Sequence, residues 1–369
     1  MKEFFKGLSG STPDTTKPAL AKMLGPETPG LVLRSGMTLP IVDWNTMRAL
    51  EPPTVDKAAL DAFWTRLARS WLETLRAALD ARYAIRESER FLMLGSLDES
   101  RANVVLEFVE RTRKRILMIL DGVAADAEVG KVCLLIFDGD DRYYQYVSNY
   151  YSKGGEYALS GGMFLQYGYG HFVFVESEIF VMEPTIAHEL SHCMVQHLSL
   201  PAWLNEGIAV NTEQRLCPPP GRPLFTPEEM REKHVEFWNE ATIQEFWSGK
   251  SWLRPDEGNM LSYDLAKTFV GLAAEDFDAF RAFANAADVA DSADAAALKH
   301  LGYPVKNLAE AVLGEGAWEP KPELWKDGVE RGQFQRFSPP HARLNSSRSS
   351  ALKSRPKWST RSRTSSVSK

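Results

Sequence analysis

Two histidines four residues apart, with a glutamate directly after the first, constrain the fold and chemistry of this chain more than any other feature. They are His188, Glu189 and His192, in the run Pro184-Thr185-Ile186-Ala187-His188-Glu189-Leu190-Ser191-His192. Residues four apart on an α-helix share one face, so both imidazoles can reach a single metal ion while Glu189 points towards a water molecule beside it. The motif therefore predicts a helix that carries a metal site. Zinc is the predicted ion, because it readily takes imidazole nitrogens as ligands.

A catalytic zinc site uses three protein ligands and leaves one position for water, so a third ligand is expected. Glu206 follows His192 by 14 positions, in the run Trp203-Leu204-Asn205-Glu206-Gly207. Two helices joined by a short turn can pack together, which lets a carboxylate on the second helix reach histidines on the first. Glu206 is thus the predicted third ligand of one zinc ion. The alternative is that both histidines are ordinary helix residues, that Glu189 is a surface charge and that Glu206 caps the next helix.

Together the two motifs resemble those of the gluzincin metallopeptidases, the thermolysin-like superfamily whose third zinc ligand is a glutamate on a following helix. The second motif is particularly similar to that of zinc aminopeptidases and of bacterial peptidase MA-like domains. The resemblance implies a thermolysin-like two-lobe α+β fold, in which a mixed sheet and the metal-site helices precede a helical C-terminal lobe. Glu189 is then expected to be the general base, and a tyrosine or histidine of the C-terminal lobe to stabilise the oxyanion. Tyr263 is the candidate for that role, and packing of an amphipathic helix is its alternative role.

Two positions depart from the pattern of these families. The aminopeptidases carry Gly-x-Met-Glu-Asn before the metal helix, whereas the nearest string here, Gly161-Gly162-Met163-Phe164-Leu165, has no glutamate to hold a free N-terminus. An endopeptidase acting on peptide or protein substrates, or a narrower hydrolysis of unknown kind, is therefore favoured over an aminopeptidase. Thermolysin-like sites also tend to place a histidine-orienting acid four residues after the glutamate ligand, but Val210 stands there, so support for the histidines stays unassigned. The second functional class that the sequence allows is a metal-binding or interaction module without turnover.

Apolar periodicity predicts the elements around the motif. Spacings of three and four residues indicate a helix over about residues 60–79, and a second helix is predicted over about 100–121. Strands are predicted at residues 89–94, 131–137, 163–167 and 171–175. Pro184 stands near the predicted first position of the metal helix, where a missing N–H is tolerated. By analogy with the gluzincin fold, residues 161–167 form the edge strand that binds extended peptide.

Composition divides the chain into four segments. They are an N-terminal arm that is partly irregular (1–54), an α+β metallopeptidase lobe (55–216), a helical C-terminal lobe (217–327) and a basic Ser-rich disordered tail (328–369). From His341 onwards there are 8 Lys or Arg and no acidic residue among 10 Ser, although the whole chain has a net charge of −6. A basic arm can bind nucleic acid or a membrane surface, but Trp358 is its only aromatic residue and no binding fold accompanies it. Disorder without clear nucleic-acid binding is the prediction.

Cysteine content and hydropathy bear on location. The three cysteines, Cys133, Cys193 and Cys217, lack metal-binding spacing, and their odd number suits a reducing compartment. The first residues form no continuous apolar segment, and no run of about 18 apolar residues occurs in the chain. A cytoplasmic protein without a membrane span is expected. The sequence leaves the identity of the substrate and the oligomeric state open.

Overall fold

The computed structural model describes residues 30–51, 56–150, 162–165, 168–219, 221 and 223–325. These residues form one mixed five-stranded sheet and twelve α-helices, which confirms the predicted α+β class. The strands are β1 (Ala84–Glu87), β2 (Phe91–Gly95), β3 (Val132–Phe137), β4 (Gly162–Leu165) and β5 (His171–Val175). The helices are α1 (Trp44–Arg48), α2 (Lys57–Ala78), α3 (Glu99–Ile119), α4 (Asp140–Val147), α5 (Ile179–Val195), α6 (Ala202–Leu216), α7 (Pro227–Phe237), α8 (Thr242–Ser248), α9 (Gly258–Ala273), α10 (Phe277–Ala286), α11 (Asp294–His300) and α12 (Lys306–Leu313). None of these helices is long and apolar enough to cross a membrane.

The sheet has the order β1-β2-β3-β5-β4, and its three central strands run parallel. β1 and β4 are antiparallel to their neighbours and lie at the two edges. Every residue of β3 is buried, because helices cover both faces of the sheet. Successive side chains of a strand point to opposite faces, so Leu134 and Ile136 pack with α3 and α5, whereas Cys133 and Leu135 pack with α2 and α4. This arrangement leaves β4 as an edge strand next to α5.

The predicted strands and long helices are present, with bounds shifted by a few residues. An aspartate caps the N-terminus of α2 and of α3. The side chain of Asp56 accepts a hydrogen bond from Ala58 N, and that of Asp98 accepts one from Arg101 N. Residues 166–167 of one predicted strand lie outside the described part of the chain. β1 was not predicted, because it is short and only partly buried, and it is recognisable only through its pairing with β2.

The predicted start of the metal helix was wrong. α5 begins at Ile179 and Pro184 lies in its interior, where it removes one hydrogen bond of the helix. A stripe of buried apolar residues at a spacing of four explains the longer helix, because it continues upstream of the proline. Its members are Met182, Ile186, Leu190 and Met194. Burial of this stripe against the sheet outweighs the local cost of the proline.

Two hydrophobic clusters hold the described chain together. The first runs from Phe91 to Trp318 and includes residues of both predicted lobes, so the division at residue 216 stays a prediction. The second includes Trp44, which packs its ring against Trp64 and Trp71. Part of the predicted N-terminal arm is therefore packed into the core. Residues 1–29, residues 52–55 and the predicted basic tail lie outside the described residues.

Helices α6 and α9 approach each other closely at Gly207. A Cβ atom at this position would lie 2.4 Å from the backbone oxygen of Ala266 and 2.6 Å from Cγ2 of Val270, so only glycine fits. Close by, Nδ2 of Asn211 donates a hydrogen bond of 2.8 Å to the backbone oxygen of Lys267. The glycine that follows Glu206 in the second motif thus lets α9 pack against the helix that carries the predicted third ligand.

Candidate metal centre

The three predicted ligands meet at one point, where α5 packs against α6. His188 and His192 are one turn apart on α5, and their Nε2 atoms are 3.1 Å apart. Oε2 of Glu206, near the start of α6, lies 3.3 Å from Nε2 of His188 and 3.5 Å from Nε2 of His192. These residues form a group that can hold a metal ion. The three side chains remain 13% to 22% exposed, so the group lies just beneath the surface.

The spacing of the donor atoms fits a shared ion. Two donors bound at about 2.0–2.1 Å to one tetrahedral zinc ion are about 3.4 Å apart. The three measured separations, 3.1, 3.3 and 3.5 Å, lie around that value. In the described part of the chain, Oε2 of Glu206 is also buried without a well-aligned hydrogen-bond donor. A buried carboxylate oxygen in this state is unusual, and a bound cation would satisfy it.

Hydrogen bonds on the far side of each imidazole direct the two Nε2 atoms inward. Nδ1 of His188 lies 3.0 Å from Oε2 of Glu213, and Nδ1 of His192 lies 3.0 Å from Oδ1 of Asn205. Because both partners are oxygen acceptors, each Nδ1 carries the proton and donates it. Nε2 is then the nitrogen of each ring that faces the site, and it can bind a metal ion in place of a proton, which is the arrangement of metal-binding histidines in general.

The contacts of Glu213 and Asn205 with the two histidines were not predicted from the sequence. The thermolysin-like pattern predicts an orienting acid one turn after Glu206, where Val210 stands. Glu213 lies seven residues after Glu206, which is close to two full turns of α6, so both glutamates face α5. A search at spacings of both four and seven residues would have found it. Asn205 directly precedes Glu206 in the second motif.

Removing the carboxylate of Glu213 should weaken metal binding. We expect Glu213→Ala to reduce the affinity for Zn²⁺ roughly 10- to 100-fold, because the ring of His188 loses the partner that sets its tautomer and orientation. Glu213→Gln retains an oxygen acceptor and should lose less. Glu107→Ala, at an exposed position of α3, is the matched control. A competition titration against a coloured chelator measures all four proteins, and equal affinities of Glu213→Ala and Glu107→Ala would contradict the assignment.

Glu189 lies beside the ligands on α5, and the backbone N–H of Phe164 in β4 donates a 2.7 Å hydrogen bond to its Oε2. Burial raises the pKa of Glu189, although the nearby His192 and His188 oppose the rise. Burial also acts against the charge of Glu206, but attraction to His192 and contact with His188 outweigh it and hold the pKa of Glu206 low. The carboxyl groups of Glu189, Glu206 and Glu213 all lie around the two histidines. A positive ion among them is electrostatically favoured.

The structure brings Tyr263 to the same site. Its ring centroid lies 6.4 Å from that of His188, and it sits within the second turn of α9. Burial, together with the carboxylates of Glu206 and Glu189, raises the pKa of Tyr263, so its hydroxyl remains protonated. In the described ranges this hydroxyl makes no hydrogen bond to another residue. The geometry leaves it able to donate to a group bound at the metal centre.

Two other histidines are structural. His171 was left out of the predicted site, and it is fully buried: its Nδ1 lies 2.7 Å from the backbone oxygen of Tyr169 and its Nε2 2.8 Å from the hydroxyl of Tyr146. Burial lowers the pKa of His171 to about 4, so it is neutral. His234 accepts a hydrogen bond from the indole of Trp238 and contacts Asp264 at 3.0 Å. Both nitrogens of each ring are thus engaged within the core.

Comparison with models of known protein families and with curated proteins finds no match to this chain.

Proposed function

We propose that this protein is a zinc-dependent metallopeptidase of the gluzincin type, and that it cleaves peptide bonds within peptide or protein substrates. One observation carries the proposal: Nε2 of His188, Nε2 of His192 and Oε2 of Glu206 converge on one point. The hydrogen bonds to Glu213 and Asn205 support the proposal, because they leave both Nε2 atoms free to bind a cation. A site built only for packing has no need of this alignment.

The donor set favours zinc over other common ions. Two imidazole nitrogens and one carboxylate oxygen form a ligand set of catalytic zinc sites, whereas magnesium and calcium prefer oxygen ligands throughout. Three ligands leave a position for water or substrate, as hydrolysis requires. When bound, the ion would polarise the scissile carbonyl and make a water molecule more acidic.

Two residues of the chain then act on the substrate, Glu189 by transferring a proton and Tyr263 by donating a hydrogen bond. The carboxylate of Glu189 takes a proton from the water whose oxygen attacks the carbonyl carbon, and delivers it to the amine nitrogen as the C–N bond breaks. The hydroxyl of Tyr263 donates a hydrogen bond to the carbonyl oxygen as negative charge develops there. The position of Tyr263 beside His188 supports this role.

The element order supports the thermolysin-like fold as part of the same proposal. A mixed sheet with an antiparallel edge strand precedes the metal helix α5, the glutamate helix α6 follows, and the remaining helices come last. Endopeptidase activity is favoured because β4 has Phe164 where the aminopeptidases have the glutamate that binds a free N-terminus. A cytoplasmic location remains a prediction, which rests on the cysteines; all three are free thiols.

Removal of the metal tests the proposed function. We expect the wild-type protein to cleave members of a broad peptide library, and treatment with a chelator followed by dialysis to abolish the cleavage. Adding one equivalent of Zn²⁺ should restore it, because the ligands and Glu189 are already in place. Mass spectrometry of the products gives the cleavage sites. Cleavage that persists in the metal-free protein, or a zinc-loaded protein that cleaves no peptide, would contradict the proposal.

A further inference from the structure

The edge strand β4 and the metal helix α5 contact each other at two points with matching spacing. Near the start of β4, a Cβ atom on Gly162 would lie 2.9 Å from Cγ2 of Thr185 and 2.3 Å from the ring of Phe174. Two residues further along β4, the backbone N–H of Phe164 donates to Oε2 of Glu189 at 2.7 Å. Two residues of a strand span about 6.6–6.8 Å, and four residues of a helix span about 6.0 Å. The strand and the helix are therefore in register at Thr185 and Glu189.

The N–H of Phe164 points away from the sheet. In an antiparallel pair, residues alternate between those that exchange hydrogen bonds with the partner strand and those that do not. Phe164 lies opposite Phe172 of β5, and its N–H is used by a side chain outside the ladder. Met163 and Leu165, on either side, are then the residues of β4 that exchange hydrogen bonds with β5. The free edge of β4 thus presents the N–H of Phe164 to α5.

We propose that the backbone amide of Phe164 is a positioning group that holds the carboxylate of Glu189 for its role in the reaction. The proposal rests on the proposed function, in which Glu189 is the general base. With Oε2 anchored by the amide, the carboxylate has a fixed orientation, and Oε1 is left as the oxygen that can take the proton. The side chain of Phe164, packed against Phe172 at 5.1 Å between ring centroids, in turn fixes the amide.

The anchoring also constrains how substrate lies in the site. An N–H group that donates to Glu189 is not available to a peptide backbone. An extended substrate along β4 must therefore make its main-chain hydrogen bonds with other groups of the strand. The same hydrogen bond links the position of Glu189 to that of β4. Because Gly162 has no side chain, β4 can come close enough to α5 for this contact.

Amide hydrogen exchange tests the anchor without any need for turnover. We expect the Phe164 amide to exchange slowly in the wild type and in Glu189→Gln, which retains an oxygen acceptor. In Glu189→Leu, of similar size but without an acceptor, it should exchange at least about tenfold faster, because the amide loses the hydrogen bond that protects it. The amides of Met163 and Leu165 are internal controls and should not change. Residue-resolved NMR exchange measurements on the full chain give these rates.

Unchanged exchange at Phe164 in Glu189→Leu would overturn the proposal. Equal acceleration at Met163, Phe164 and Leu165 would also overturn it, since the substitution would then have loosened the whole strand. If Glu189→Leu does not fold, Glu189→Asp replaces it, because its shorter side chain draws the carboxylate back from the strand and should speed exchange at Phe164 in the same way.

A second measurement uses activity on the best-cleaved library peptide. Phe164→Pro removes the N–H at a position where the sheet does not need it, and proline is tolerated on edge strands. Phe164→Ala loses the same ring but keeps the N–H and is the control. We expect Phe164→Pro to have a kcat roughly 10- to 100-fold below that of Phe164→Ala, with KM within about threefold, since a displaced base slows the chemical step. Equal kcat values would overturn the proposal. An inactive wild type would contradict the proposed function instead, and the exchange rates would still decide whether Phe164 anchors Glu189.

Discussion

Replacing Glu189 with glutamine is expected to lower kcat roughly 10²- to 10⁴-fold, the usual contribution of a general base. Glutamine has nearly the same size and keeps an oxygen that can accept the hydrogen bond from Phe164 N. It cannot take a proton from water at neutral pH. The chemical step should therefore slow, whereas zinc stoichiometry and zinc affinity should stay close to those of the wild type, because Glu189 is not a ligand.

The two readouts separate the role of Glu189 from a general loss of structure. Glu107→Gln makes the same chemical change on the exposed side of α3 and should leave both kcat and zinc affinity unchanged. A Glu189→Gln protein that binds one zinc ion and retains wild-type kcat would show that another group takes the proton. A variant that loses zinc together with activity would show that Glu189 supports the ligands rather than the reaction.

The candidate metal centre was largely predictable because its parts are close in sequence. His188 and His192 are one helical turn apart, and this spacing alone places them on one face of α5. Glu206 follows after a short connection, so its helix has little freedom except to pack beside the first. The prediction needed only a helix, a turn and a second helix, and the structure has all three at this place.

The supporting groups were harder to predict because they depend on distance through space. Glu213 reaches His188 from two turns beyond Glu206, and this contact depends on how α5 and α6 cross. The amide of Phe164 carries no signal in the sequence, since every residue except proline has a backbone N–H. Its contact with Glu189 follows from the register between β4 and α5, which is set by the close approach at Gly162.

The error at Pro184 has a different cause. A proline near the start of a helix is a common signal, and the motif directly after it favoured that interpretation. The helix begins more than a turn upstream of Pro184, and Met182 continues there the buried apolar stripe that includes Ile186. Where a local signal and a burial pattern disagree, burial of several large side chains has the larger free energy.

Replacing Glu206 with alanine is the second prediction with a large effect. Loss of a residue that hydrogen-bonds to a metal ligand typically weakens metal binding roughly 10- to 100-fold. Loss of the ligand itself should therefore weaken it by more than about 100-fold. His188 and His192 would remain as the two predicted ligands. We expect the fold to persist, since Glu206 lies at a solvent-reachable site and does not belong to the hydrophobic clusters. Zinc should raise the melting temperature of the wild type, and this rise should disappear in the variant.

The most direct test of the metal centre is a titration of Zn²⁺ into the metal-free wild type, Glu206→Ala and Glu213→Ala, in competition with a chelator of known affinity. The structure predicts one zinc ion per wild-type chain, an affinity roughly 10- to 100-fold weaker in Glu213→Ala, and a still weaker one in Glu206→Ala. Circular dichroism on the same samples confirms that each variant is folded. A folded Glu206→Ala protein that binds one zinc ion as tightly as the wild type would contradict the assignment of His188, His192 and Glu206 as the ligand set.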